Sequence, residues 1–155
     1  KFATKVELDA KLKTLGVDAL NDQSATMYDT IRSFERVPNK TIVEALMDQR
    51  LFAGIGNYIK CEMLYRTKIS PHRLVRDLTD NDVSLLWDYA KLISRSSYKQ
   101  GGASIRNYQQ VTGETGDFVF EFEVYGKMED PHGNTVIREK TADGRTTHWV
   151  PSLQQ

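Results

Sequence analysis

The chain has 155 residues, of which 39% are hydrophobic and 27% charged, a globular composition sized for one domain or two small units sharing a surface. Its 21 basic and 21 acidic residues give a formal net charge of zero, which argues against nucleic-acid binding through a general basic excess. No apolar run approaches the roughly 20 residues of a membrane span, and the single cysteine, Cys61, excludes an internal disulfide framework and fits a reducing compartment.

The opening Lys1-Phe2-Ala3-Thr4 carries neither an initiator Met nor a signal peptide, which reads as a fragment whose natural start lies upstream. Thr4-Lys5-Val6-Glu7 has the form of a capping box, and Leu8, Leu12 and Leu15 follow at helical spacing, predicting a first helix that stops at Gly16. Met27, Ile31 and Phe34 predict a second helix running up to Pro38. Another capping box, Thr41-Ile42-Val43-Glu44, opens a third through Arg50, and a fourth should begin near Asn57, after Gly54-Ile55-Gly56. A fifth starts at Thr79, carries Asp80 and Asp82 in its first turn and Leu85, Leu86, Tyr89 and Ile93 along its length, and ends at Gly101-Gly102.

Beyond a glycine-rich connection, residues 101–116, the period changes from helical to two. Phe118, Phe120, Phe122 and Val124 alternate with Val119, Glu121, Glu123 and Tyr125, the pattern of a half-buried strand. Thr135 to Lys140 and Arg145 to Val150 are two further strands, joined through Asp143-Gly144, a pair suited to a type I′ hairpin turn.

Charge is uneven along this balanced chain. From Arg32 to Arg73 eight bases oppose four acids, and Lys91, Arg95, Lys99 and Arg106 follow with no acid among them. Such runs serve either as solvated helix faces or as a nucleic-acid footprint. The glycine-bracketed turn has two readings as well. Gly54 and Gly56 permit positive φ and close backbone approach, and free amide hydrogens at the helix start, with the helix dipole, make a phosphate seat to which Asn57 adds a donor. Alternatively Asn57 is only an N-cap.

Three stretches carry a family resemblance: Leu46 to Pro71, "QGGASIRNY" (Gln100 to Tyr108) and "VYGK…GRTTHW" (Val124 to Trp149). Together they resemble the C-terminal half of the formamidopyrimidine-DNA glycosylase and endonuclease VIII family, and Leu15 to Leu20 is similar to that family's interdomain connector. The resemblance implies an α+β fold, a mainly helical helix-two-turn-helix bundle followed by a C-terminal antiparallel β-hairpin finger. It divides the chain into connector and opening helices (1–38), the DNA-binding helix-two-turn-helix domain (39–103), and a loop with the finger (104–155). Asn57 matches the family's phosphate-binding asparagine and Arg145 the finger arginine that grips the backbone beside the damaged nucleotide. Tyr125 and Gly126 match the motif leading into the finger, and Arg106 to Gly116 occupies the place of a loop that can cover an everted base. The DNA contacts implied are Asn57, Arg145, Gly54, Gly56, Lys60, Tyr125 and Arg106. An enzyme that acts on a base must take it out of the duplex, and firm phosphate contacts serve that without specifying sequence.

Two departures shape the expectation. The family's finger holds zinc with four cysteines, whereas here the nearest positions are His132, Val150 and Leu153, and apolar side chains do not coordinate metal. The pattern resembles the zincless finger of some members, with no metal and no cofactor, and His132 and His148 read as surface or packing residues. The family also attacks the sugar with an N-terminal proline beside a glutamate, whereas the first proline here is Pro38 and the family's N-terminal catalytic domain is absent from the chain. Cys61, on a helix with no histidine near it in sequence, reads as a buried thiol. The expectation is a DNA-binding half of a bifunctional glycosylase and abasic-site lyase acting on oxidised bases, inactive alone. Its expected partner is double-stranded DNA with damaged bases or abasic sites. It is expected to be monomeric, intracellular and, in a eukaryote, nuclear. The alternatives are a stand-alone helix-two-turn-helix scaffold and a tight αα corner with a protein-binding hairpin.

Overall fold

The computed structural model describes residues 4–18, 24–99 and 121–155. Helices come first: α1 (Lys5–Leu12), α2 (Met27–Glu35), α3 (Ile42–Met47), α4 (Asn57–Thr67) and α5 (Asp80–Lys99), with a 3-10 turn at Val75–Asp77. The two-residue strands β1 (Val17–Asp18) and β2 (Phe52–Ala53) pair in parallel. At the C-terminal end β3 (Ile137–Lys140) and β4 (Thr146–Trp149) pair antiparallel, Ile137 opposite Trp149 and Lys140 opposite Thr146. The fold is α+β, a helical bundle followed by a hairpin.

Local chemistry starts four of the helices. Thr4 with Glu7, Thr26 with Asp29, Thr41 with Glu44 and Thr79 with Asp82 bond reciprocally three residues apart, which satisfies N–H groups that the first helical turn leaves free. The third helix ends at Met47 rather than at the predicted Arg50. There Asp48 takes extended backbone, ψ 102°, and its carboxylate accepts the Arg50 N–H at 3.0 Å.

Phe52 is the wedge of the main core. Its ring lies 6.4 Å from Phe34 on α2 and 6.0 Å from Trp87 on α5, among Leu46, Leu64, Leu86 and Ile93. Each such side chain, fully buried, stabilises by about 1.5–3 kcal/mol. A second cluster sits under the hairpin, where Cys61 and Tyr65 of α4 meet Val124, Val136 and Val150. Helix α4 thus lies between two cores. Helix α1 stays outside both, with Val6, Leu8 and Leu12 exposed, so its apolar stripe is uncovered among the described residues. No helix among the described residues is long and apolar enough to cross a membrane.

Three further expectations are corrected. The first helix ends at Leu12, so Gly16 is not its stop; Gly16 is instead where β1 runs against residues 49–51, its N–H donating to the Gln49 carbonyl at 2.7 Å. The alternating stretch gives no strand over residues 121–125, while residues 118–120 lie outside the described residues. The N–H groups of Glu123, Val124 and Tyr125 all donate to the Glu62 carboxylate, so they are not available to a ladder. The hairpin turn is not type I′, which needs positive φ at both central residues. Only Gly144 is positive, at 79°, with its N–H donating to the Thr141 carbonyl and the Thr141 N–H to that of Arg145, a type I turn closed by a glycine bulge.

A Cβ on Gly16 would lie 2.4 Å from the Leu51 carbonyl carbon, against backbone that has no rotamer to yield. Gly16→Ala is expected to lower stability in urea unfolding by about 1–3 kcal/mol. An unchanged midpoint would show that the β1–β2 contact gives way without loss.

Candidate nucleic-acid interface

Gln49 builds the turn before α4. Its Oε1 accepts the Gly54 N–H at 2.9 Å and its Nε2 donates to the Ile55 carbonyl at 3.1 Å, so one side chain fixes both sides of the peptide corner. Ile55 is buried below it. Gly54 has φ of 88°, which a side chain rarely adopts, whereas Gly56 has φ of −96° and needs no such freedom. The requirement for glycine holds at Gly54 alone.

Gly56, not Asn57, is the N-cap of α4, and the end carries neither a side-chain cap nor an acid in its first turn. The first N–H groups therefore lack intrahelical partners at the positive end of the helix dipole. Asn57 is the first helical residue, and its Nδ2 donates to the Thr146 carbonyl at 2.9 Å, tying α4 to the start of β4. Among the described residues its Oδ1 has no hydrogen-bond partner, though it is buried. Arg145 immediately precedes that anchored residue and is exposed. The structure therefore brings Gly54, Gly56, Asn57 and Arg145 to one corner.

Lys60 does not join them. Its side chain is 0% exposed and its Nζ lies 2.7 Å from Asp143 Oδ2, itself 2% exposed, so the predicted DNA contact is corrected to an internal ion pair. Tyr125 is half-buried and stacks on His148 with ring centres 4.7 Å apart and planes 15° from parallel, beside Tyr58 and Phe122. His148 Nδ1 accepts the Gly126 N–H at 2.7 Å, and burial, with Arg138 nearby, holds its pKa below the usual imidazole value. Arg106 and the loop through Gly116 lie outside the described residues.

Sequence reasoning missed the side chains that hold this corner in place. Glu62, buried on α4, accepts from the N–H groups of Glu123, Val124 and Tyr125 at 2.9–3.1 Å; burial pushes its pKa up against the lowering effect of those donors. Asp130 accepts from the Tyr65 hydroxyl at 2.9 Å, the backbone N–H groups of His132 and Asn134, and Asn134 Nδ2. His132 itself is exposed and contributes to this network only its N–H, while Val150 lies in the core under the hairpin. Cys61 accepts the His148 N–H at 3.4 Å, and burial pushes its thiol up to about 11. The available signal for Glu62 and Lys60 was that α4 has no polar face to place them on.

Comparison with known proteins defines the class first. The chain aligns with a viral DNA glycosylase at 25% identity and TM-score 0.73, over 96% of this chain and 53% of that one. It aligns with the Lactococcus lactis formamidopyrimidine-DNA glycosylase, solved non-covalently bound to DNA containing an abasic site, at 28% identity and TM-score 0.78, again over 96% and 53%. The class is therefore the helix-two-turn-helix bundle with a hairpin finger. In sequence, residues 15–109 match the formamidopyrimidine-DNA glycosylase H2TH domain and residues 114–155 the formamidopyrimidine-DNA glycosylase C-terminal domain. A formamidopyrimidine-DNA glycosylase of a Bradyrhizobium species is 32% identical, over 97% of this chain and 54% of that protein. The chain belongs to the formamidopyrimidine-DNA glycosylase family, and it spans about half the length of the relatives it matches.

Two predictions follow from the anchors. Glu62→Ala should leave three backbone N–H groups without their acceptor, raising hydrogen exchange at Glu123, Val124 and Tyr125 and costing about 2–4 kcal/mol of stability. Unaltered exchange there would remove Glu62 from its anchoring role. Burial alone would raise the Asp130 carboxyl, but the Asn134 side chain and N–H, the Tyr65 hydroxyl and the His132 N–H outweigh it and hold the pKa at about 2. An aspartate in the unfolded chain titrates near about 3.9. The stabilisation is thus fully present above that value and lost as pH falls toward the folded pKa. The thermal midpoint should fall between about pH 4 and pH 2, and less steeply in Asp130→Asn. Identical acid slopes in the two proteins would count against this anchor.

Proposed function

We propose that this chain is the damaged-DNA-binding half of a base-excision repair enzyme, a bifunctional DNA glycosylase and abasic-site lyase acting on oxidised bases. Its ligand in this reading is duplex DNA containing a damaged base or an abasic site. The observation that carries the reading is the bond from Asn57 Nδ2 to the Thr146 carbonyl, which sets the uncapped start of α4 beside exposed Arg145. Two donors of different kinds then address one stretch of backbone. The α4 terminus offers N–H groups and dipole to a phosphate oxygen, and the guanidinium offers a planar fork to another. Contacts of this kind hold the duplex in register and bend, as removal of a base from the stack requires, and they read no sequence. The solved relative bound to abasic-site DNA supports this ligand class. Within this chain the roles are binding and positioning, and no residue of it is assigned to the chemical step.

Binding to a duplex carrying an abasic-site analogue tests the reading. Arg145→Ala should weaken affinity on the order of tenfold for duplexes of any sequence and reduce the salt slope, log K against log salt, by about one. Asn57→Ala should weaken it as well. Affinity left intact in both variants would refute the phosphate-clamp assignment.

A further inference from the structure

We infer that the buried Lys60–Asp143 ion pair is a positioning device for Arg145, an inference that rests on the DNA-binding reading above. Lys60 Nζ and Asp143 Oδ2 are 2.7 Å apart, and both side chains are sealed from solvent. A fully buried lysine is unfavourable unless paired, and an apolar pair of similar volume often serves stability as well or better. What the ion pair adds here is a fixed place for the hairpin tip on α4.

The ties surround Arg145. Asp143, two residues before it, is bound to Lys60; Thr146, the residue after it, is bound through its carbonyl to Asn57. Asn57 and Lys60 are three apart on α4, so both ties come from one face of its first turn. Inside the turn, Thr141 Oγ1 donates to Asp143 Oδ1 and lies 2.7 Å from Thr147 Oγ1, while the Thr141 N–H donates to the Arg145 carbonyl at 3.0 Å. The Arg145 backbone is therefore held from both sides while its side chain is exposed.

Charge gives the pair a second effect. Asp143 is the acid nearest to Arg145 in sequence, and without Lys60 its carboxylate would attract the guanidinium and repel a DNA phosphate. Bound to Lys60 and buried, it does neither. Lys60 is thus not a DNA contact; it acts on DNA through Arg145.

The test is a double-mutant cycle on this chain, reading affinity for a duplex with an abasic-site analogue and thermal stability together. Lys60→Met with Asp143→Asn removes both charges while keeping volume and an acceptor for Thr141. This double variant should stay folded yet bind about tenfold more weakly, close to the loss in Arg145→Ala. Combined with Arg145→Ala, it should bring no further loss. Should the double variant fail to fold, Asp143→Glu, which keeps both charges and displaces the hairpin tip by one methylene, carries the same comparison in both Arg145 backgrounds. Affinity unchanged in the folded pair variant, or losses that multiply with Arg145→Ala, would overturn the positioning role while leaving the DNA reading intact. A wild-type chain with no affinity for the abasic duplex overturns that reading and this inference with it.

Discussion

Helix α4 is buried along most of its length, and the rest of the structure answers to that constraint. From Ile59 to Tyr65 every side chain is out of solvent, including Lys60 and Glu62. Ile59, Met63 and Leu64 face the helical core, and Cys61 and Tyr65 face the hairpin. A buried charge left without a partner costs several kcal/mol, so the two ionic residues must be met by whatever lies against the helix. The C-terminal segment meets both: Asp143 takes Lys60, and three consecutive N–H groups of residues 123–125 take Glu62. The bundle and the finger are therefore bound to each other by necessity of charge as well as by apolar contact.

This arrangement separates the residues that can touch a ligand from those that set them in place. Gln49 fixes the corner before α4, Asn57 joins that corner to β4, and Lys60 and Asp143 hold the tip of the hairpin. Asp130 holds the approach to the hairpin through Tyr65 and Asn134. Among the described residues, no three of His, Cys, Asp and Glu gather in a way that would hold a metal ion, and the hairpin draws its rigidity from these bonds and from Val124, Val136 and Val150.

Much of the helical part was legible because its signals are local. Capping boxes at Thr4 and Thr41, the acids Asp80 and Asp82 after Thr79, and the stripe Met27, Ile31, Phe34 mark helix starts and faces over a few residues, and β3 and β4 fall where β-favouring residues flank Asp143-Gly144. What failed depends on partners far along the chain. The alternation at residues 121–125 is present in the sequence, but Glu62 takes the N–H groups of residues 123–125 from about 60 residues away. Lys60 read as one base among eight in a mildly basic run and, by family resemblance, as a DNA contact, since nothing near it in sequence names Asp143. Gly16 was read as a helix stop, but the helix ends at Leu12 and the reason for a glycine there, contact with the backbone at Leu51, is tertiary. Asn57 was singled out by the glycine-bracketed turn as well as by family resemblance and Arg145 by resemblance alone, and their adjacency is a property of the fold.

The ties between finger and bundle also span long stretches of the chain. Asn57 and Thr146 are 89 residues apart, Lys60 and Asp143 are 83, and Glu62 and Val124 are 62. Closing such loops is entropically costly and slow, whereas α2 to α5 meet across shorter spans. Residues 154 and 155 are tied over a similar span, with the Ser70 N–H bound to the Gln155 carbonyl, the Gln155 N–H to that of Lys68, and Gln154 Nε2 to that of Ile69. Until the finger docks, Lys60 and Glu62 are without the partners that residues 123–143 supply. Arg145 takes up its place beside the α4 corner only once the hairpin has closed on the helix, so whatever loosens the finger withdraws the arginine from that corner.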